Sequence, residues 1–134
     1  MKERIGFSKV ENLVNKQNEH IPLFNNDTIE GLYSYLIEEM EELREVLEQD
    51  NPDYVELMSE IADVQYLLIR IAQMTNVDLI EGVISKVARN YKKYGKAETR
   101  EEAKANWSHQ KDHEFLNDWI TVFREKQRKK NEEI

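Results

Sequence analysis

Cysteine is absent from this sequence. That removes disulfides, zinc–thiolate sites and thiol nucleophiles at once, and it permits the cytoplasmic location expected here. Proline and glycine are scarce, at two and four residues, so little interrupts helices. No apolar run reaches the roughly 18 residues that span a bilayer, and no membrane contact is expected. The N-terminal MKERIGFSKVENLV is too polar and too broken by charge to read as a signal peptide. Gly6, Gly31, Gly82 and Gly95 stand alone, so a phosphate loop, a dinucleotide fingerprint and a serine nucleophile elbow are all missing. Histidine is nearly absent too. None of His20, His109 and His113 follows a glutamate by three, which argues against a carboxylate-bridged di-iron bundle built on Glu-x-x-His. His109 and His113 are spaced to share a helix face, and their expected place is the entry of the last helix, with Asp112 as its cap. Net positive charge is lacking as well: the chain carries −8, which opposes a broad nucleic-acid surface. The one basic run, FREKQRKKN at 123–131, reads as a solvated helix end.

What the chain does contain is helix periodicity and acid. Its 134 residues, 40% hydrophobic and 34% charged, suit one domain spanning 1–134, with a core motif region at 28–95 and a C-terminal helical extension at 96–134. A first helix is expected over residues 2–18, with Ile5, Val10, Leu13 and Val14 on its apolar side. HIPLFNN at 20–26 reads as a loop. Asp27 lies three residues before Glu30, a capping-box spacing that opens a second helix running to about residue 49. After Asp50-Asn51, Pro52 suits the first position of a third helix, over about 53–74. Asn76 is expected to cap a fourth, which ends near Tyr94 before Gly95. Thr99 and Glu102 frame a short helix at about 100–106. A last helix is expected at about 112–130, with Phe115, Trp119, Val122 and Phe123 inward. No strand-period run is present. The expected fold is all-α: an antiparallel bundle of four main helices plus C-terminal helices, completed by dimerisation.

The acids fall into a pattern on the second and third helices. At about 100° per residue, Glu39 and Glu42 lie about 60° and 120° to one side of Leu36, beside a stripe of Ile29, Leu32, Tyr33, Met40, Leu43 and Leu47. Glu38, Glu41 and Glu45 fall toward solvent. Glu60 and Asp63 hold the same offsets from Leu57, beside Tyr54, Ile61, Val64, Leu68 and Ile71. A tight turn makes the two helices antiparallel. Glu39 then stands level with Asp63, and Glu42 with Glu60. Four carboxylates on one patch repel unless cations neutralise them, and hard oxygen donors suit Mg²⁺, with Mn²⁺ as an alternative. The competing reading of any acidic pair on a charged helix is solvated surface. Met58, Ala62, Tyr66 and Ile69 leave the third helix apolar on nearly every side, which points to a partner copy in a homodimer or homotetramer.

EEMEEL at 38–43, followed by EIADVQYLLIRIA at 60–72, resembles the all-α nucleoside triphosphate pyrophosphohydrolases of the MazG type. Their EExxE…ExxD pattern is matched by Glu38, Glu39 and Glu42, then Glu60 and Asp63. KVARNYKKYG at 86–95 is similar to the family's following Lys and Asn positions, and the likeness runs over about 32–94. The resemblance implies Mg²⁺ held by Glu39, Glu42, Glu60 and Asp63, with Glu38 and Glu39 as the catalytic carboxylates. It implies hydrolysis of a nucleoside triphosphate, ribo or deoxy, to the monophosphate and pyrophosphate. Lys86 and Lys93 would neutralise phosphate and Asn90 would hydrogen-bond to it or to the sugar. On spacing alone these three equally form a solvent-facing stripe opposite Ile80, Ile84, Val87 and Tyr91. The alternative function is a non-catalytic dimeric helical interaction or regulatory protein, which shares the fold and needs no metal.

Overall fold

A computed structural model describes residues 4–132. Among these residues there are six α-helices, one 3₁₀ turn and no strand, so the all-α expectation holds. The helices are α1 (Phe7–His20), α2 (Ile29–Leu47), α3 (Tyr54–Met74), α4 (Leu79–Tyr94), α5 (Arg100–Ala105) and α6 (His109–Glu132), with the 3₁₀ turn at Pro22–Asn26 between α1 and α2. By its contacts the chain falls into two compact units, dividing between Leu79 and Ile80.

The first unit is built on the hairpin of α2 and α3. Leu32, Leu36 and Leu67 form its buried cluster, with Val64 and Ile71 packed against them. α1 lies along α3, where Gln73 Nε2 donates to the Glu11 carbonyl at 3.0 Å and the Tyr66 hydroxyl donates to Gln17 Oε1. Expected residue 2 of the first helix lies outside the described residues. Residues 4–6 are not helical, and α1 starts after Gly6, which offers no side-chain cap and disfavours a helix interior. It runs two residues past the expected end and stops at Ile21, which Pro22 holds extended. The loop expected at 20–26 contains a 3₁₀ turn beginning at that proline.

Several helix ends correct the sequence reading. α2 is capped by Thr28, whose Oγ1 accepts from Gly31 N at 3.0 Å, and not by Asp27. The Asp27 carboxylate is taken by Arg70 of α3. α3 is capped by Asp53, which accepts from Glu56 N at 3.1 Å, so Pro52 stands outside the helix. Asn76 does not cap α4. With φ of 57° it closes α3, as Val77 N–H reaches the Ala72 carbonyl at 2.9 Å and Asn76 N–H that of Gln73. This is the left-handed C-terminal motif in which asparagine substitutes for glycine.

In the second unit, α4 and α6 run antiparallel. Asp112 near the start of α6 meets Arg89 at 3.4 Å and Lys86 at 3.7 Å, while Arg124 twelve residues on grips Glu81 with two bonds of 2.9 and 2.8 Å. Asp112 also accepts from the Trp107 indole at 2.9 Å. That bond, with Lys86, Arg89 and Lys93 nearby, outweighs burial and lowers its pKa. Asp112 is therefore not the cap of α6. Ser108 takes that part, accepting from Lys111 N at 3.1 Å, and α6 begins at His109. Thr99 caps α5 as expected. Trp119 stacks on Phe123 at 4.8 Å, and Trp107 meets Phe115 edge-on.

Side chains also fall differently around α3 and α4. Leu67 and Ile69 are buried, whereas Tyr54, Ile61 and Leu68 of the expected core stripe are exposed. Ile69 of the expected partner face is covered and Met58 is open. Tyr33, Ile37, Met40 and Leu47 make an exposed apolar stripe on α2, and Tyr54, Met58 and Ile61 a matching one on α3. On α4, Ile84, Val87 and Tyr91 are exposed while Glu81 and Ser85 are buried.

Stripes of this kind on adjacent helices favour a second copy of the chain. Light scattering is expected to give at least twice the 16.0 kDa chain mass, and Met58→Glu with Ile61→Glu to shift it to one chain; a monomeric parent would refute this. A second test concerns glycine. A Cβ at Gly95 would sit 2.3 Å from the Tyr91 carbonyl oxygen, whereas at Gly82, inside α4, it would meet nothing within 4 Å. Gly95→Ala should lower unfolding free energy by about 1–3 kcal/mol, and Gly82→Ala should raise it by about 0.5–1 kcal/mol, in denaturant titrations.

Candidate metal centre

The hairpin register carries the acidic pairs to one place. Glu39 and Glu42 sit one turn apart on α2, Glu60 and Asp63 one turn apart on α3, and the Leu32–Leu36–Leu67 contact holds the two helices together beside them. One carboxylate oxygen from each of the four lies within 4.8 Å of the others. Glu42 and Asp63 are exposed, whereas Glu39 and Glu60 are half-buried, each with Oε2 closed off from solvent and without a hydrogen-bond donor.

Such a cluster is electrostatically unfavourable when bare. Burial, the adjoining Glu42 carboxylate and the charges of Asp63, Glu42 and Glu60 push Glu39 up to about 7. Burial and the charges of Glu42 and Asp63 raise Glu60 in the same direction. Carboxylates brought this close are reconciled only by a shared proton or by a cation. The donor set is all hard oxygen, and two of its oxygens are buried without a donor. These residues therefore fit a divalent ion of the Mg²⁺ or Mn²⁺ kind.

The neighbouring acids do not join them. Glu38 is exposed and outside the group of four. Glu41 is exposed and paired with Arg44 at 2.7 Å, and Glu45 is exposed on the same side. Lys86, Asn90 and Lys93 belong to the second unit, on α4. There Lys86 faces Asp112, Lys93 lies 5.2 Å over the Tyr94 ring, and Asn90 lines a polar cavity with Arg89 and Arg100.

Two residues beside the centre, Asp27 and Arg70, were not read as part of it in the sequence. A cavity of about 390 Å³ opens beside the cluster, shares Glu39 and Asp63 with it, and extends to Asp27 and Arg70. Arg70 is only 4% exposed. A lone arginine inside the apolar run LLIRIA was the available signal, since a charge on a buried face requires a partner. Nothing local identifies that partner as Asp27, 43 residues away.

Comparison with known proteins bears on the same segment. No curated protein and no solved structure gives a significant match. The family model described as the MazG nucleotide pyrophosphohydrolase domain matches residues 27–102. That match spans more than half of the 134 residues and takes in both helices whose carboxylates converge, so the chain belongs to the MazG nucleotide pyrophosphohydrolase family.

Proposed function

We propose that the protein is a Mg²⁺-dependent nucleoside triphosphate pyrophosphohydrolase, acting on a ribo- or deoxynucleotide. The observation that carries this reading is the pair of buried, donorless oxygens, Glu39 Oε2 and Glu60 Oε2, within a four-carboxylate group inside the family-matched segment. Glu39, Glu42, Glu60 and Asp63 would hold the cation, Mg²⁺ or in its place Mn²⁺. When bound, it would draw charge off the triphosphate and acidify water.

The chain's own part is to bind, to orient and to move one proton. Water adds its oxygen to the α-phosphorus, and the bond from that phosphorus to the β-bridging oxygen breaks. Pyrophosphate leaves and the nucleoside monophosphate remains. Glu39 is the carboxylate assigned to orient the water and accept its proton, on the strength of its half-buried place in the cluster. Glu38, exposed on the same turn, takes the lesser catalytic part. Lys86 and Lys93 are assigned to phosphate charge and Asn90 to a hydrogen bond with phosphate or sugar, on the strength of the family pattern. A cytoplasmic setting is proposed with it, which the lack of cysteine permits. Among the described residues no helix is long and apolar enough to cross a membrane.

Pyrophosphate release from a panel of nucleoside triphosphates, with and without Mg²⁺, tests the proposal. Turnover is expected only with the cation. Glu39→Gln is expected to reduce it by about 100-fold or more, while Glu38→Gln stays within about tenfold of the parent. No turnover of any nucleotide, with or without Mg²⁺, would favour the non-catalytic dimeric interaction protein instead.

The raised carboxylates give a separate prediction. Glu39 has a higher pKa folded, about 7, than unfolded, 4.5. Its protonation therefore stabilises the fold fully below pH 4.5, and that contribution is lost as pH rises through about 7. Metal-free protein should melt at a lower temperature at pH 8 than at pH 5.5. Mg²⁺ or Mn²⁺ should recover more at pH 8, and Glu39→Gln should flatten the dependence. Melting that is independent of both pH and cation would contradict the cluster's electrostatics.

A further inference from the structure

The cavity beside the acidic cluster has a shape and lining that metal binding does not use. At about 390 Å³ it lies within the size range of small-ligand pockets. Glu39 and Asp63 form one end, shared with the cluster. Phe24, Tyr35 and Tyr66 supply aromatic wall, and Arg70 lies along it. Arg70 is fixed from two directions: Nη1 donates to Asp27 Oδ2 at 2.5 Å, and the guanidinium carbon stands 4.7 Å from the centre of the Phe24 ring. Its Nε is buried and has no acceptor. The residue lines the cavity all the same.

The two ends of the cavity specify one kind of occupant. It must be flat and apolar enough to lie among aromatic rings, carry an acceptor for Arg70, and be joined to a group that reaches Glu39 and Asp63. We infer that this cavity holds the base of the nucleotide, that Arg70 reads the base by donating from its guanidinium to a ring carbonyl oxygen, and that the protein consequently prefers keto bases to amino bases. The inference rests on the nucleotide-hydrolysing reading of the adjoining cluster. A guanidinium has donors only. A carbonyl oxygen satisfies it, whereas an exocyclic amino group turns N–H toward N–H. Asp27 is a positioning residue, holding Arg70 charged and in place, and the aromatic walls contribute stacking that is indifferent to the base.

Matched pairs that differ in this one group provide the test: inosine against adenosine and uridine against cytidine triphosphates. The unmodified protein should release pyrophosphate from the keto member with kcat/KM about 10- to 100-fold higher. Calorimetric titration with inosine and adenosine monophosphates, which needs no turnover, should rank them in the same order. Arg70→Met should bring each pair to near equality. Should that buried substitution fail to fold, the comparison in the unmodified protein stands without it, and Tyr35→Ala, on an exposed residue, should raise KM for all bases alike with kcat retained. Turnover with equal kcat/KM within the pairs, or a keto preference surviving Arg70→Met, overturns the base-reading role and leaves the hydrolase reading intact. Absence of turnover on every nucleotide overturns both.

Discussion

Packing Leu32 and Leu36 against Leu67 closes the α2–α3 hairpin, and the same contact forces Glu39 and Glu42 up against Glu60 and Asp63. The first unit depends on this opposition. Apolar burial draws the helices together, while four acidic groups on the facing edge resist. Without a cation the resistance shows as protonation, with Glu39 raised to about 7 and Glu60 raised beside it. A divalent ion reverses that logic, because a carboxylate facing two positive charges is favoured when ionised. The hairpin thus holds a cluster strained by its own charge, which a divalent ion would relieve.

The surroundings of the cluster follow from the same hairpin. Arg70 lies on α3 two turns beyond Asp63, and both line the same cavity. Its burial is tolerable because Asp27, at the entry to α2, gives up the capping role to Thr28 and pairs with it. The 3₁₀ turn before that entry contributes Phe24, which covers the guanidinium. Loop, cap and buried ion pair thereby form one wall of the cavity beside the carboxylates.

Helix number, helix order and the four clustered acids were legible in the sequence because each rests on local periodicity. Thr99 as a cap and Gly95 as a stop were readable for the same reason: their chemistry is satisfied within a few residues. Asp27, Asn76 and Asp112 were misread where local chemistry had a competitor. Asp27 and Asp112 are claimed by distant cations, and Asn76 is as competent to end α3 in a left-handed turn as to begin α4. The apolar stripes were misjudged differently. Periodicity finds an apolar face but does not say which face is covered within one chain. Ile61 and Met58, at 51% and 49% exposed, are open where Ile69 is closed. Arg70 carried a signal that the sequence reading did not take up, an odd charge in an apolar run, and its partner carried none, since 43 residues separate them.

The central claim is that these four carboxylates are a cation site rather than solvated charge. Manganese is the direct probe, because its paramagnetic resonance signal disappears on binding and its oxygen-ligand chemistry matches that of magnesium. Titrating Mn²⁺ into nucleotide-free protein at pH 7.5 should show saturable binding that Mg²⁺ displaces, and that Glu60→Gln with Asp63→Asn removes while the helical circular dichroism is unchanged. Binding that persists in that variant, or no saturable binding by the unmodified protein, would contradict the account.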